Sequence, residues 1–133
     1  MPSKKKCSCY SQRQNRWLEP SVLLLLLEAP CHGYEIIARL PELGFSQSPT
    51  DPGAVYRTLR HMEENDFVES VWDVSGSGPA KRRYTITAAG CEHLALWADM
   101  LAQRREAIDA FLLRLNKSLK NSVQEQSGIE AKA

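Results

Sequence analysis

Cys31 stands beside His32 and Cys91 beside His93, the nearest this sequence comes to pairing a nucleophile with a base. A thiolate activated by an imidazole would serve acyl transfer, but nucleophile, base and an orienting group must converge in one pocket. Adjacent residues point in different directions on a helix. No phosphate-cradling glycine loop, GxSxG elbow or HExxH zinc motif occurs in the chain. Neither catalysis nor a cofactor is expected. Cys7-Ser8-Cys9, with Cys31 or His32, offers the thiolates and imidazole that suit zinc or copper. A single residue between the cysteines is too few for a structural zinc site and no second pair follows, so no metal is expected. A metal- or redox-responsive use of Cys7 and Cys9 stays open as an alternative.

The stronger grouping is basic. Tyr56, Arg57 and Arg60 lie in one segment and Lys81, Arg82 and Arg83 in another, beside the glycine-rich stretch Ser75-Gly-Ser-Gly-Pro79. Cationic side chains neutralise phosphates and release counterions, and arginine can also bind guanine edges with both arms of its fork. The whole chain of 133 residues carries 17 Lys+Arg against 16 Asp+Glu. Five of those cations (Lys4, Lys5, Lys6, Arg13 and Arg16) precede Trp17, leaving 12 basic against 16 acidic residues behind them, a net of −4. A basic front on an acidic body fits a polyanionic partner. Each arginine taken singly could equally be a solvated helix charge, Arg57 and Arg60 pairing with Glu63 or Glu64.

These residues need elements to position them. Residues 1–15 are polar and aperiodic and read as a flexible basic arm. Residues 16–87 read as one domain. In WLEPSVLLLLLE, Pro20 suits a first helical turn and the leucines are too dense for a one-sided helix, so a buried helix is expected that stops before Ala29-Pro30. GYEIIARLPELG makes a second helix, with Tyr34, Ile37 and Leu40 inward and Gly44 as its stop. Asp51 as N-cap and Pro52 at the first helical position open a third, reaching about Asn65 with Val55, Leu59 and Met62 inward. Ser48, Thr50 and the amides from Pro52 to Ala54 would stand at its positive end, where a phosphate could be held. Phe67–Val74 and Lys81–Thr87 are rich in β-branched and aromatic residues and make a hairpin around the glycine tip.

The order of three helices and a hairpin is that of a winged helix-turn-helix, whose third helix enters the DNA major groove. Residues 88–116 extend it as a long amphipathic helix, and 117–133 read as a polar, disordered tail. The fold class is thus mainly α with a small β-hairpin. The long helix carries Leu94, Leu101, Ile108, Phe111, Leu112 and Leu115 at spacings of three, four and seven, more apolar surface than one small domain covers. A second copy is the expected cover, and a two-fold dimer would read a palindromic operator with half-sites about 34 Å apart. The same helix docked on a different protein is the competing reading. Trp17 and Trp97 could line a flat small-molecule effector between paired helices, although aromatics at helical spacing are commonly core. The longest apolar run, Val22–Leu27, is far shorter than the roughly 18 residues a membrane span needs, and the cytoplasm is the expected location.

HGYEI (His32–Ile36), DPGAVYRTLRHMEENDFVES (Asp51–Ser70), Trp72, GPAKRRYTIT (Gly78–Thr87) and AAG (Ala88–Gly90), in this order, closely resemble the PadR family of bacterial transcriptional regulators. The resemblance covers about Trp17 to Leu115. It implies a homodimeric winged-helix repressor whose long C-terminal helix packs on the partner subunit. It also implies that Gly53, Tyr56 and Arg57 approach DNA from the recognition helix and Lys81 and Arg82 from the wing. Two positions depart from the family pattern. Asp66 replaces a usual glycine, so Asn65-Asp66 must make the turn, and Arg83 replaces a frequent aromatic, making the wing more basic. WDVSGSGPAKRRY (Trp72–Tyr84) looks most like the polyhydroxybutyrate-responsive branch.

Overall fold

The computed structural model describes residues 17–44 and 51–132, with side chains as far as 125. The element order is α1 (Leu18–Glu28), β1 (Cys31–His32), α2 (Gly33–Arg39), a 3₁₀ turn (Leu40–Leu43), α3 (Pro52–Glu64), β2 (Val68–Asp73), β3 (Lys81–Ile86) and α4 (Ala88–Lys132). The basic arm, the Cys7/Cys9 pair, Ser48 and Thr50 lie outside the described residues.

α1 buries Leu18, Pro20, Ser21, Val22, Leu23, Leu25 and Leu26, as the leucine density requires, and leaves Leu24 and Leu27 exposed. It gives way at Ala29, which is extended ahead of Pro30. The expected second helix is two pieces. Pro41 has no N–H for the carbonyl of Ile37, so regular α geometry stops at Arg39 and a 3₁₀ turn carries the chain to Gly44 at φ 73°. Its inward residues are Ile36 and Leu40, with Ile37 partly covered, while Tyr34 stands out in solvent. Tyr34 falls outside the buried stripe because Gly33 at the first helical position faces the core.

α3 starts where its cap signal places it: the Asp51 carboxylate accepts from the Gly53 amide at 3.1 Å. Ala54, Val55, Leu59 and Met62 point into the core. Its end is a Schellman turn, in which Phe67 N–H donates to Met62 C=O and Asp66 N–H to Glu63 C=O. Asp66 takes the left-handed conformation (φ 63°) that the turn demands, as Asn65-Asp66 was expected to allow.

The sheet has three strands rather than two. Cys31 and His32, to which no strand was assigned in the sequence, pair antiparallel with Tyr84 and Arg83, giving the order β1-β3-β2. The hairpin register runs from Val68↔Ile86 to Asp73↔Lys81. Cys31, Val68 and Tyr84 anchor the sheet to a core otherwise made by α1, α2, the 3₁₀ turn and α3.

Thr87 caps α4: its hydroxyl accepts from Gly90 N–H at 3.0 Å and donates to Asp66 C=O at 2.6 Å. A Cβ on Gly90 would lie 2.1 Å from the Phe67 carbonyl oxygen, so only glycine admits this approach of helix to turn. Residues 117–132, expected as a disordered tail, continue the helix. Polarity was the wrong criterion, because extending an existing helix is cheap and no proline or glycine interrupts Cys91–Ser127. The chain divides between Ala95 and Leu96 into two compact units. The second unit presents exposed Leu96, Met100, Ile108, Phe111, Leu112, Leu113, Leu115, Leu119 and Val123.

Candidate nucleic-acid interface

The core face of α3 is fixed by Val55, Leu59 and Met62, so Tyr56, Arg57, Arg60 and His61 are exposed on the rest of its surface. Tyr56 is 45% exposed, and its ring lies so close to Gly33 that an added Cβ would meet its Cε1 at 2.5 Å. Tyr56 therefore also joins α3 to the first turn of α2. Arg57 folds back over Gly53, with its guanidinium 3.6 Å from the Asp51 carboxylate, both side chains 69% exposed. So open a pair holds Arg57 only weakly and leaves it available to another anion. Arg60 makes no ion pair among the described residues. Arg57 and Arg60 thus pair with neither Glu63 nor Glu64.

The expected phosphate seat at the start of α3 is not open in the structure. Gly53 N–H is committed to the Asp51 side chain, and Ala54 and Val55 N–H to its carbonyl. The capping carboxylate also lays negative charge over that end.

Along β3, Lys81, Arg82 and Arg83 are all exposed and alternate in direction. Arg82 stacks over its cross-strand partner Trp72, 5.1 Å from the ring centre, and lies 3.6 Å from Glu63 of α3. Ser70 donates its hydroxyl to the same Glu63 carboxylate, so helix and wing share an anchor. Lys81 lies 4.8 Å over the ring of Tyr34, and Tyr34 stacks on His32 with centroids 5.5 Å apart.

Sequence reasoning missed the group beneath these contacts. His32 Nδ1 hydrogen-bonds Glu35, its Nε2 lies 2.9 Å from Asp73, and its backbone N–H donates to Glu35 at 3.0 Å. The hydrogen bonds from Glu35 and then Asp73 raise the His32 pKa above 6.5. The His32 backbone N–H and then its ring lower Glu35. The Ser75 hydroxyl and amide, then His32, hold Asp73 far below the ordinary carboxylate range. The His32-x-x-Glu35 spacing was a legible capping box. Asp73, at a separation of 41 residues, could be found only through the strand register.

A family profile for the transcriptional regulator PadR-like family matches residues 22–96, more than half of the chain. The chain belongs to this family. Among relatives, it is 33% identical over 90 residues to the probable transcriptional regulator Rv1176c of Mycobacterium tuberculosis, covering 66% of this chain and 47% of that protein. The chain thus spans about half the length of that relative. Among solved structures, TM0937, a conserved protein of unknown function and potential transcriptional factor, is 32% identical with TM-score 0.71, covering 80% of this chain and 94% of its own. Bacillus subtilis PadR, solved in complex with operator DNA, shares the fold at TM-score 0.54 and 23% identity, covering 61% of this chain and 46% of its own.

The other residues singled out in the sequence divide between the two units. Leu94 packs against the core of the first PadR-like unit. Ile108, Phe111, Leu112 and Leu115 are exposed on α4 and Leu101 is half-covered. Trp17 is the N-cap of α1 and Trp97 a half-buried position of α4, so the proposed effector pair falls in separate units. Among the described residues no group of three or more His, Cys, Asp or Glu side chains could hold a metal ion. No described helix is long and apolar enough to cross a membrane.

Proposed function

We propose that this protein is a cytoplasmic, homodimeric repressor that grips double-stranded DNA with α3 in the major groove and the β2–β3 wing along the backbone. The observation that carries the reading is the placing of exposed cations: Arg57 and Arg60 on the free face of α3 and Lys81, Arg82 and Arg83 on β3. Both elements are those a winged helix offers to DNA, and phosphate neutralisation requires this charge. The operator complex of Bacillus subtilis PadR supports the same use of the fold. A second copy of the chain covers the apolar stripe of α4, which makes the operator palindromic. Release from the DNA by a small metabolic effector completes the reading. The Trp72–Tyr84 stretch supports assignment to the polyhydroxybutyrate-responsive branch. Binding to DNA from the protein's own upstream region, followed by fluorescence anisotropy with Arg57→Ala and Arg82→Ala as controls, tests the reading.

A further inference from the structure

The wing is tied down unevenly. β1 pairs with β3 only at Cys31↔Tyr84 and His32↔Arg83, whereas the hairpin continues to Asp73↔Lys81 before its tip. Beyond His32, three described side-chain links hold this outer part to the helical body: Asp73 to His32, Lys81 to Tyr34, and Arg82 to Glu63. Between tip and body lies a cleft of about 310 Å³, lined by His32, Tyr34, Asp73, Lys81 and the residues Ser75–Pro79. Nothing packed there replaces the links.

The His32 link has a chemical condition. Both ring nitrogens face carboxylates, Glu35 on α2 and Asp73 on β2. A neutral imidazole donates one hydrogen bond and would turn a lone pair toward the other carboxylate; only the imidazolium donates to both. We propose that His32 is a positioning residue for DNA binding: as an imidazolium it clasps the wing to the first turn of α2, and losing its proton frees the wing and weakens the grip on DNA. This rests on the DNA-binding reading above.

The surroundings fit such a device. The groups facing His32 are Tyr34 and Glu35 from α2, Asp73 from β2, and Lys81 and Arg83 from β3. The hydrogen bonds and charges of the two carboxylates favour the proton, and the partial burial of the ring opposes it. Of the three links, only the one through His32 has an ordinary pKa near neutrality. The His32 side chain is 16% exposed and that of Asp73 23%, so protons can exchange without unfolding.

The test follows the His32 ring and the Ser75 amide, which donates to Asp73, by NMR in the DNA-free protein from about pH 6 to about pH 9. DNA affinity is measured over the same range. The expected result is that ring and amide titrate together above 6.5, and that affinity falls on that curve by up to about tenfold, the effect of one pKa unit of differential proton binding. His32→Gln flattens both curves, and Asp73→Asn moves the ring back toward its ordinary value. A His32 ring titrating at or below 6.5, or an unchanged pH dependence in His32→Gln, overturns the clasp. DNA binding absent at every pH overturns the reading beneath it, while the NMR arm still decides whether the clasp exists.

Discussion

At the residue scale, two glycines separate folding from binding. Gly90 faces a fixed carbonyl at 2.1 Å, so Gly90→Ala forces the start of α4 away from the turn. A loss above about 2 kcal/mol is expected in urea unfolding. Gly33 faces the ring of Tyr56 instead, which is half-exposed and can swing aside. Gly33→Ala therefore costs little stability but displaces a side chain of α3, the helix proposed to enter the groove, and weaker DNA binding with an unchanged melting temperature is the expected outcome. Asp66 pays for its left-handed backbone, and Asp66→Gly should stabilise the chain by about 0.5–1 kcal/mol. The His32 cluster sets a pH window for stability as well. The raised His32 pKa contributes fully below its unfolded value of 6.5 and is lost as pH rises through the folded value; the lowered Glu35 and Asp73 contribute above 4.5 and 3.8 and are lost on acidification. Melting temperature against pH should fall at the alkaline edge earlier in wild type than in His32→Gln, whose curve there is flatter.

At the scale of elements, what was legible depended on whether local chemistry decided the outcome. The Asp51-Pro52 start and the Val55/Leu59/Met62 stripe were readable because capping and periodicity act within a few residues, and the turn at Asn65-Asp66 was expected through the resemblance to the family. β1 was not, since two residues become a strand only when Tyr84 and Arg83 arrive beside them. The Pro41 break was local and could have been read from the missing N–H. Of the candidate interface, the basic residues of α3 and β3 were legible as a pattern, whereas the Arg82–Glu63 and His32–Asp73 links needed the register. The end of α4 was misread by weighing polarity above helix propagation, and α4 spans about 68 Å at 1.5 Å per residue. Its exposed Ile108, Leu112, Leu115 and Leu119 fall at four, three and four residues apart, the spacing that the proposed pairing with a second copy would use. Leu112→Asp should turn a dimer into a monomer in analytical ultracentrifugation while leaving the first unit folded.

At the scale of the molecule, the charges are arranged for an encounter with a polyanion although the chain is nearly neutral overall, at +1. On the proposed reading, binding needs two basic elements together, α3 through its exposed arginines and the wing through β3. Removing either should weaken binding, but differently: Arg82→Ala lowers affinity for all sequences and reduces the salt slope by about 1, whereas Arg57→Ala costs about 1–3 kcal/mol and relaxes specificity at its own base pair. Whether α3 and the wing bind DNA is decided by the affinity of the full chain for its upstream DNA as a function of salt. Tight binding is expected, its logarithm falling steeply and linearly with the logarithm of salt concentration, with the slope lowered in Arg82→Ala. A folded protein whose binding to that DNA is absent, or indifferent to salt and to both substitutions, would contradict DNA binding by α3 and the wing.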